Sequence, residues 1–366
     1  MGAEIIKFSR ENLEDYLSSV FGAEANLVSI RELGAEKSEK KLKGFGYGKP
    51  YLIEFKIGDK TRRVVLGTVK PSSFGHEHFA DRAKILLWQH SAFNKLPRHV
   101  KSIDVGAFTE DGRLKSLGDC KEFFIITEMV EGRLYHIDLD KLMKHKKFSK
   151  LDMERCEVLA NYLVNIHSVK RNEPTLYIRR IRELVGHGEC IMGLIDNYPS
   201  GLEYVNEKFL CSIEKKCVEW RWKLKKKTHR LSQVHGDFHP WNILFREGTD
   251  FTVLDRSRGE WGEPADDVTS ITINYIFYSL QTYGWLEGPF KSLFEHFWKY
   301  YMEKTQDEEI LSVVQPFYAW RALVVASPIW YPNLETKVRV KLFNFIKNIL
   351  STEKFEIDAV NSYLKD

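Results

Sequence analysis

Residues 234–245, VHGDFHPWNILF, and 251–268, FTVLDRSRGEWGEPADDV, are the part of the chain on which its reading turns. They hold His235-Gly236-Asp237, then four residues, then Asn242, and 13 residues later Asp255. The apolar runs NILF and FTVLD flank a polar turn and read as a strand hairpin that brings Asp255 alongside Asn242.

Moving a γ-phosphoryl group from ATP to a hydroxyl needs a carboxylate to meet the hydroxyl proton. It also needs an amide and a second carboxylate to hold Mg²⁺ on the phosphates. An Asp-x-x-x-x-Asn loop followed by a strand-end Asp supplies all three. Taken singly, Asp237 and Asp255 are ordinary turn and strand-end acids, but that does not explain their joint spacing between apolar strands.

This pattern resembles the aminoglycoside phosphotransferase and choline kinase superfamily, whose members have the protein-kinase-like fold; HGDFHPWN is closer to the aminoglycoside phosphotransferase type. The resemblance implies that Asp237 is the catalytic base or hydroxyl-orienting group, that Asn242 and Asp255 are the Mg²⁺ ligands, and that His235 braces the loop. Gly262-Glu263-Pro264-Ala265-Asp266-Asp267-Val268 resembles the family's Gly-Asp-Pro-x-x-Asp-Leu segment, which gives Asp267 a structural role: holding the loop through backbone hydrogen bonds. The run Asp255-Arg256-Ser257-Arg258 departs from the family. Arg256 and Arg258 either grip phosphate or an anionic substrate, or turn outward to pair with Glu260, Glu263 or Asp266.

Working outward, the fold expected is α+β and two-lobed: a small β-rich N-terminal lobe over 1–130 that binds nucleotide, and a larger, mostly helical C-terminal lobe over 131–366 that carries catalysis and substrate. Helical spacing marks 9–21 behind Ser9, and 79–93. LVSI, PYLIEFKI and RRVVLGTVK read as a three-strand meander, with further strands at HVKSIDVGAF and FFIITEMV. Helices are expected over 152–168, 201–232, 265–284, 289–303, 308–326 and 334–351.

The same resemblance implies a nucleotide site in the front lobe, for ATP with GTP as an option. Lys70, at the end of RRVVLGTVK, would meet the phosphates, paired with Asp81 or with Glu77 one turn earlier. Gly44-Phe45-Gly46-Tyr47-Gly48 reads equally as a phosphate-covering loop or a plain hairpin turn. FFIITEMVEG resembles the family's hinge, where the Glu128 C=O and the Val130 N–H would bind the adenine edge.

Composition excludes several alternatives. Of 366 residues 43% are hydrophobic and 29% charged, which is a folded chain rather than a disordered one. Lys and Arg number 55 against 51 Asp and Glu, and a net charge of +4 demands neither nucleic acid nor a membrane as partner. The basic stretch 208–230 reads as an amphipathic helix with a solvated face, so transfer to a polymer hydroxyl has little support. Five cysteines without a C-x-x-C pair suit a reducing compartment, and the N-terminus lacks the order of a signal peptide, so a cytoplasmic location is expected. The partner expected is a small hydroxyl-bearing molecule; tryptophans late in the chain are mostly packing and do not name it. A pseudokinase-like module that binds nucleotide without turnover is the alternative.

Overall fold

The computed structural model describes residues 9–33, 48 and 50–366, so residues 44–47 of the glycine-rich segment lie outside the described residues. The chain divides into two compact units, Met1–Thr127 and Glu128–Asp366.

The first unit contains helix α1 (Arg10–Phe21), strands β1 (Asn26–Glu32), β2 (Pro50–Ile57) and β3 (Lys60–Gly67), helix α2 (Phe79–Phe93), and the short strands β4 (Gly106–Phe108) and β5 (Leu114–Ser116). Ser9 caps α1 by accepting from Asn12 N at 3.0 Å, and Gly22, at φ +67°, ends it in the left-handed conformation. Leu13 and Leu17 pack with Leu27, Ile53 and Phe55 into a small core. The meander forms as an antiparallel sheet in the order β1-β2-β3.

Three expectations for this unit are corrected. Strand β3 stops at Gly67, so Lys70 stands three residues beyond it and exposed, and Pro71, which has no N–H to give a ladder, follows. The strand read in 99–108 shrinks to β4, paired with β5. The apolar run 123–130 is not a strand: 121–132 has no regular structure, and Phe124, Ile125, Ile126 and Met129 are 85–88% exposed. Helix α2 forms where the spacing placed it, yet none of its residues is buried.

The second unit is mostly helical. Strand β6 (Arg133–Leu134) leads into α3 (His136–His145), α4 (Lys150–Ser168), α5 (Pro174–Gly186), α6 (Ile191–Asp196) and α7 (Glu207–Leu224). Strands β7 (Ser232–Gln233), β8 (Ile243–Phe245), β9 (Phe251–Val253) and β10 (Trp261–Gly262) follow. The chain then closes with α8 (Pro264–Tyr283), α9 (Gly288–Thr305), α10 (Val314–Ala326), α11 (Thr336–Ile349) and α12 (Val360–Tyr363). Helix α8 is the axle of the unit: every residue from Pro264 to Leu280 is buried, beneath α4, α9, α10 and α11.

The helix expected over 201–232 is only α7, because Asn206 caps its start by accepting from Phe209 N at 2.9 Å and the chain leaves the helix after Leu224. The 308–326 helix is broken: Asp307 caps a 3₁₀ turn over Glu308–Ser312, and α10 starts at Val314. Helices α3, α5 and α6 form where the sequence reading expects no element.

Candidate active site

Residues 235–242 hang between β7 and the β8–β9 hairpin, above the start of α8. The hairpin pairs Ile243 with Val253, and Leu254 N donates to Asn242 O at 2.8 Å, so the next residue, Asp255, turns off diagonally beside Asn242. Gly236 sits at φ +87°, a conformation that an L side chain resists, and a Cβ there would meet Arg258 Cβ at 3.1 Å.

Asp267, in the first turn of α8 and fully buried, accepts from His235 N and Gly236 N, both at 2.7 Å. The brace expected of Asp267 is therefore present. His167 of α4 meets the same carboxylate at 3.1 Å and is itself held by the Tyr301 hydroxyl at 2.8 Å. Burial would raise the Asp267 pKa, but His167 and the His235 backbone N–H hold it below the ordinary carboxylate value. His235 is buried, and burial lowers its pKa, so it stays neutral; its Nδ1 accepts weakly from Asp237 N at 3.3 Å.

Asp237 does not stand free. Arg321 Nη1 donates to its Oδ1 at 2.6 Å, while Arg321 Nη2 donates to Gly236 O at 3.0 Å and to Asp266 Oδ1 at 2.5 Å. His239 Nε2 lies 3.5 Å from Asp237 Oδ2. Burial pushes the Asp237 carboxyl upward, but Arg321, His239 and Arg258 overcome it and hold the group well below the carboxylate range. Asp237 is thus an anion at every physiological pH.

Asn242 ends a 3₁₀ turn over Pro240–Asn242 and donates its Nδ2 to Asp237 O at 3.1 Å, so the amide oxygen is the atom with which it could hold a cation. Asp255 adopts φ +55°, is exposed, and accepts from Ser257 N at 3.1 Å. An amide oxygen and an exposed carboxylate at one hairpin end are the donor set that suits Mg²⁺, a hard cation that takes few protein ligands and leaves the rest to phosphate and water. Among the described residues no group of three His, Cys, Asp or Glu side chains gathers as a metal cage.

The two arginines of the departing segment do not pair with Glu260, Glu263 or Asp266. Arg256 donates to Val234 O at 3.0 and 2.8 Å and to Glu260 O at 3.2 Å. Arg258 stacks over Trp320, with its guanidinium carbon 4.7 Å from the ring centre. Glu263 instead holds Arg230 at 2.8 Å and accepts from Tyr177 at 2.7 Å, an ion-paired buttress behind the loop.

Asn242 and Asp255 flank the β8–β9 hairpin at one end, and Asn242 is tied to the backbone of Asp237 on the loop before it. Lys70 and Asp81 belong to the first unit, where Asp81 Oδ2 accepts from His78 N at 2.7 Å and closes the capping box of α2. Glu128 and Val130 fall on the irregular 121–132 segment. Sequence reasoning missed Arg321. Its signal was there: it is the one charged residue of α10, VQPFYAWRALVVA, and a lone charge in a buried helix needs an acid waiting for it.

Among curated proteins none matches the chain. Solved structures that share some likeness include an ethanolamine kinase from Plasmodium vivax, at 16% identity, covering 92% of this chain and 80% of that one with a TM-score of 0.33. An amicoumacin kinase in complex with AMP-PNP, Ca²⁺ and Ami gives 12% identity over 96% and 98% of the two chains, TM-score 0.41. The choline kinase LicA from Streptococcus pneumoniae gives 12% over 93% and 98%, TM-score 0.34. The acceptors named there are those proteins' own. A family model does match: residues 123–289, somewhat under half of the chain and enclosing the whole loop from His235 to Asp267, fit the phosphotransferase enzyme family, and it is this family that the chain resembles.

Proposed function

We propose that the protein is an ATP-dependent, Mg²⁺-requiring kinase of a small hydroxyl-bearing molecule. The observation that supports it most is the loop itself: Asp267 holds His235 N and Gly236 N, and this presents the Asp237 carboxylate while Asn242 folds back across the same turn. Lys70 would serve the nucleotide phosphates, and the Glu128–Val130 backbone the adenine edge.

Phosphoryl transfer passes through a loose transition state with little covalent work for the protein, so positioning and charge dominate. An Asp237 held anionic by Arg321 is a weak base but a strong acceptor: it orients the substrate O–H along the line of attack and takes its proton late, as the new bond forms. Asn242 and Asp255 would hold Mg²⁺, which when bound offsets the charge of the phosphates. No helix among the described residues is long and apolar enough to cross a membrane.

ADP release in the presence of Mg²⁺, ATP and an acceptor panel tests the reading. Asp237→Asn should lower acceptor-dependent release by about 10²–10⁴-fold while the fold persists; unchanged release would refute the role given to Asp237. The alternative, nucleotide binding without turnover, has one observation in its favour: Asp237 Oδ1 already carries an Arg321 N–H. It requires ATP to bind with no release for any acceptor.

A further inference from the structure

Two buried arginines of the second unit have all three of their nitrogens matched. Arg230 donates to Glu263 and Asp307 from all three of its nitrogens, and Arg155 divides its own between Asp138 and the carbonyls of Arg246 and Gly248. Arg258 differs. Its nearest carboxylate oxygens, Glu189 Oε2 at 3.5 Å and Asp237 Oδ1 at 3.9 Å, are too distant for a charge-assisted hydrogen bond. Nη1 has only the Cys190 sulfur at 3.6 Å, and burial pushes that thiol up to about 12, so it brings no negative charge. Nε is buried and, among the described residues, has no hydrogen-bond partner.

The side chain is nonetheless held in place. It lies on the Trp320 ring, which Arg321 also covers at 3.9 Å, and Arg258 Cβ abuts Gly236. Arg321 is matched closely by Asp237 and Asp266, and Arg256 by carbonyl dipoles, whereas Arg258 has only loose ion pairs, to Glu189 at 3.5 Å and to Asp237 at 3.9 Å, besides a thiol and an aromatic face. Arg258 keeps its side chain 18% exposed, its Nε without a hydrogen-bond partner and its ion pairs to Glu189 and Asp237 loose, so N–H donors still to be met lie beside the carboxylate that would orient the acceptor, which is what an oxyanion site needs.

We propose that the acceptor is an anionic alcohol, carrying a carboxylate or phosphate next to the reacting hydroxyl, and that Arg258 grips that oxyanion while Asp237 holds the hydroxyl. The inference rests on the kinase reading above and narrows its acceptor from any small hydroxyl compound to an oxyanion-bearing one.

The test is steady-state ADP release by the full chain with matched acceptors. D-glycerate and gluconate stand for carboxylates, glycerol 3-phosphate and ribose 5-phosphate for phosphates, glycerol, glucose and ribose for neutral parents, and choline and kanamycin for cations. An anionic acceptor should exceed its neutral parent in kcat/KM by about 10²-fold, the scale of losing a hydrogen bond to a charged group. Arg258→Gln should raise KM for that acceptor at least tenfold, with KM for ATP unmoved, and Arg258→Lys should recover part of the loss. Whichever of the carboxylate and phosphate arms responds identifies the group.

Preference for a neutral or cationic acceptor overturns the inference and leaves the kinase reading standing. A uniform loss with every acceptor in Arg258→Gln also overturns it. If nothing is phosphorylated, calorimetry with D-glycerate and glycerol 3-phosphate decides: binding lost in Arg258→Gln upholds the oxyanion site while the kinase reading falls, and no binding by the unmutated chain overturns the site.

Discussion

The loop from His235 to Asn242 and the run from Phe123 to Val130 are similarly short, and both were read from the sequence as parts of one machine, yet they differ in almost every physical respect. The first has its backbone donors held by a buried carboxylate, its acid held by a buried arginine and its glycine fixed by contact. The second has no ladder and turns five large apolar side chains to solvent. The first segment is specified by bonds that it makes to its own unit. The second, if it serves as the nucleotide hinge proposed for it, would be specified mostly by what it binds.

The largest effect expected of a single change on the well-held side is that of Arg321→Met, which strands Asp237 and Asp266 without their cation. Breaking one side of a buried ion network costs about 3–5 kcal/mol, so the urea midpoint should fall steeply. A midpoint within error of the unmutated chain would mean that Arg321 does not anchor the loop.

Asp267→Asn keeps the shape and removes the charge that His235 N, Gly236 N and His167 share. Hydrogen bonds to charged groups are worth about 1.5–3 kcal/mol each, and a loss of about 2–3 kcal/mol is expected, with kcat falling more than KM because the loop rather than the substrate is loosened. Equal changes in kcat and KM would argue against a bracing role.

Acidification probes the same side. His235, Asp237 and Asp267 all have lowered pKa values in the folded chain, so the unfolded chain binds their protons first. Their stabilisation is present above the unfolded values, about 6.5 for histidine and about 4 for aspartate, and is lost as pH falls through the folded ones. Asp266, raised by burial, acts in the opposite sense. Tm should therefore decline below about pH 6.5 and again below about pH 4, and Asp267→Asn should flatten the lower limb. An identical acid limb in the variant would remove Asp267 from the account.

The smallest structural effect is expected from Lys70→Ala. An exposed side chain beyond a strand end changes stability by no more than about 0.5 kcal/mol. If Lys70 serves the phosphates, KM for ATP should nevertheless rise at least tenfold; an unmoved KM would remove Lys70 from the site.

The sequence was legible where chemistry fixes spacing. Asn242 and Asp255 must keep their distance along the chain to flank the hairpin at one end, and Asp237 its own for Asn242 to reach its backbone, so the pattern survives in one dimension. Arg321 was not legible because its partner lies 84 residues away and no local rule connects them. The 123–130 run was misread because the β-propensity of Phe and Ile is a preference for fitting a pleated surface, and no strand offers them one. Helix α2 shows the converse: its spacing gave the right element, while burial depends on what lies opposite.

Helix α8, buried from Pro264 to Leu280, has a bearing on hydrogen exchange. Its interior amides should open only with the whole unit, and because Asp267 holds His235 N and Gly236 N from its first turn, those two loop amides should exchange as slowly as the helix does, although loops ordinarily exchange fast. The loop that would orient the acceptor thus belongs to the last cooperative block of the unit to unfold.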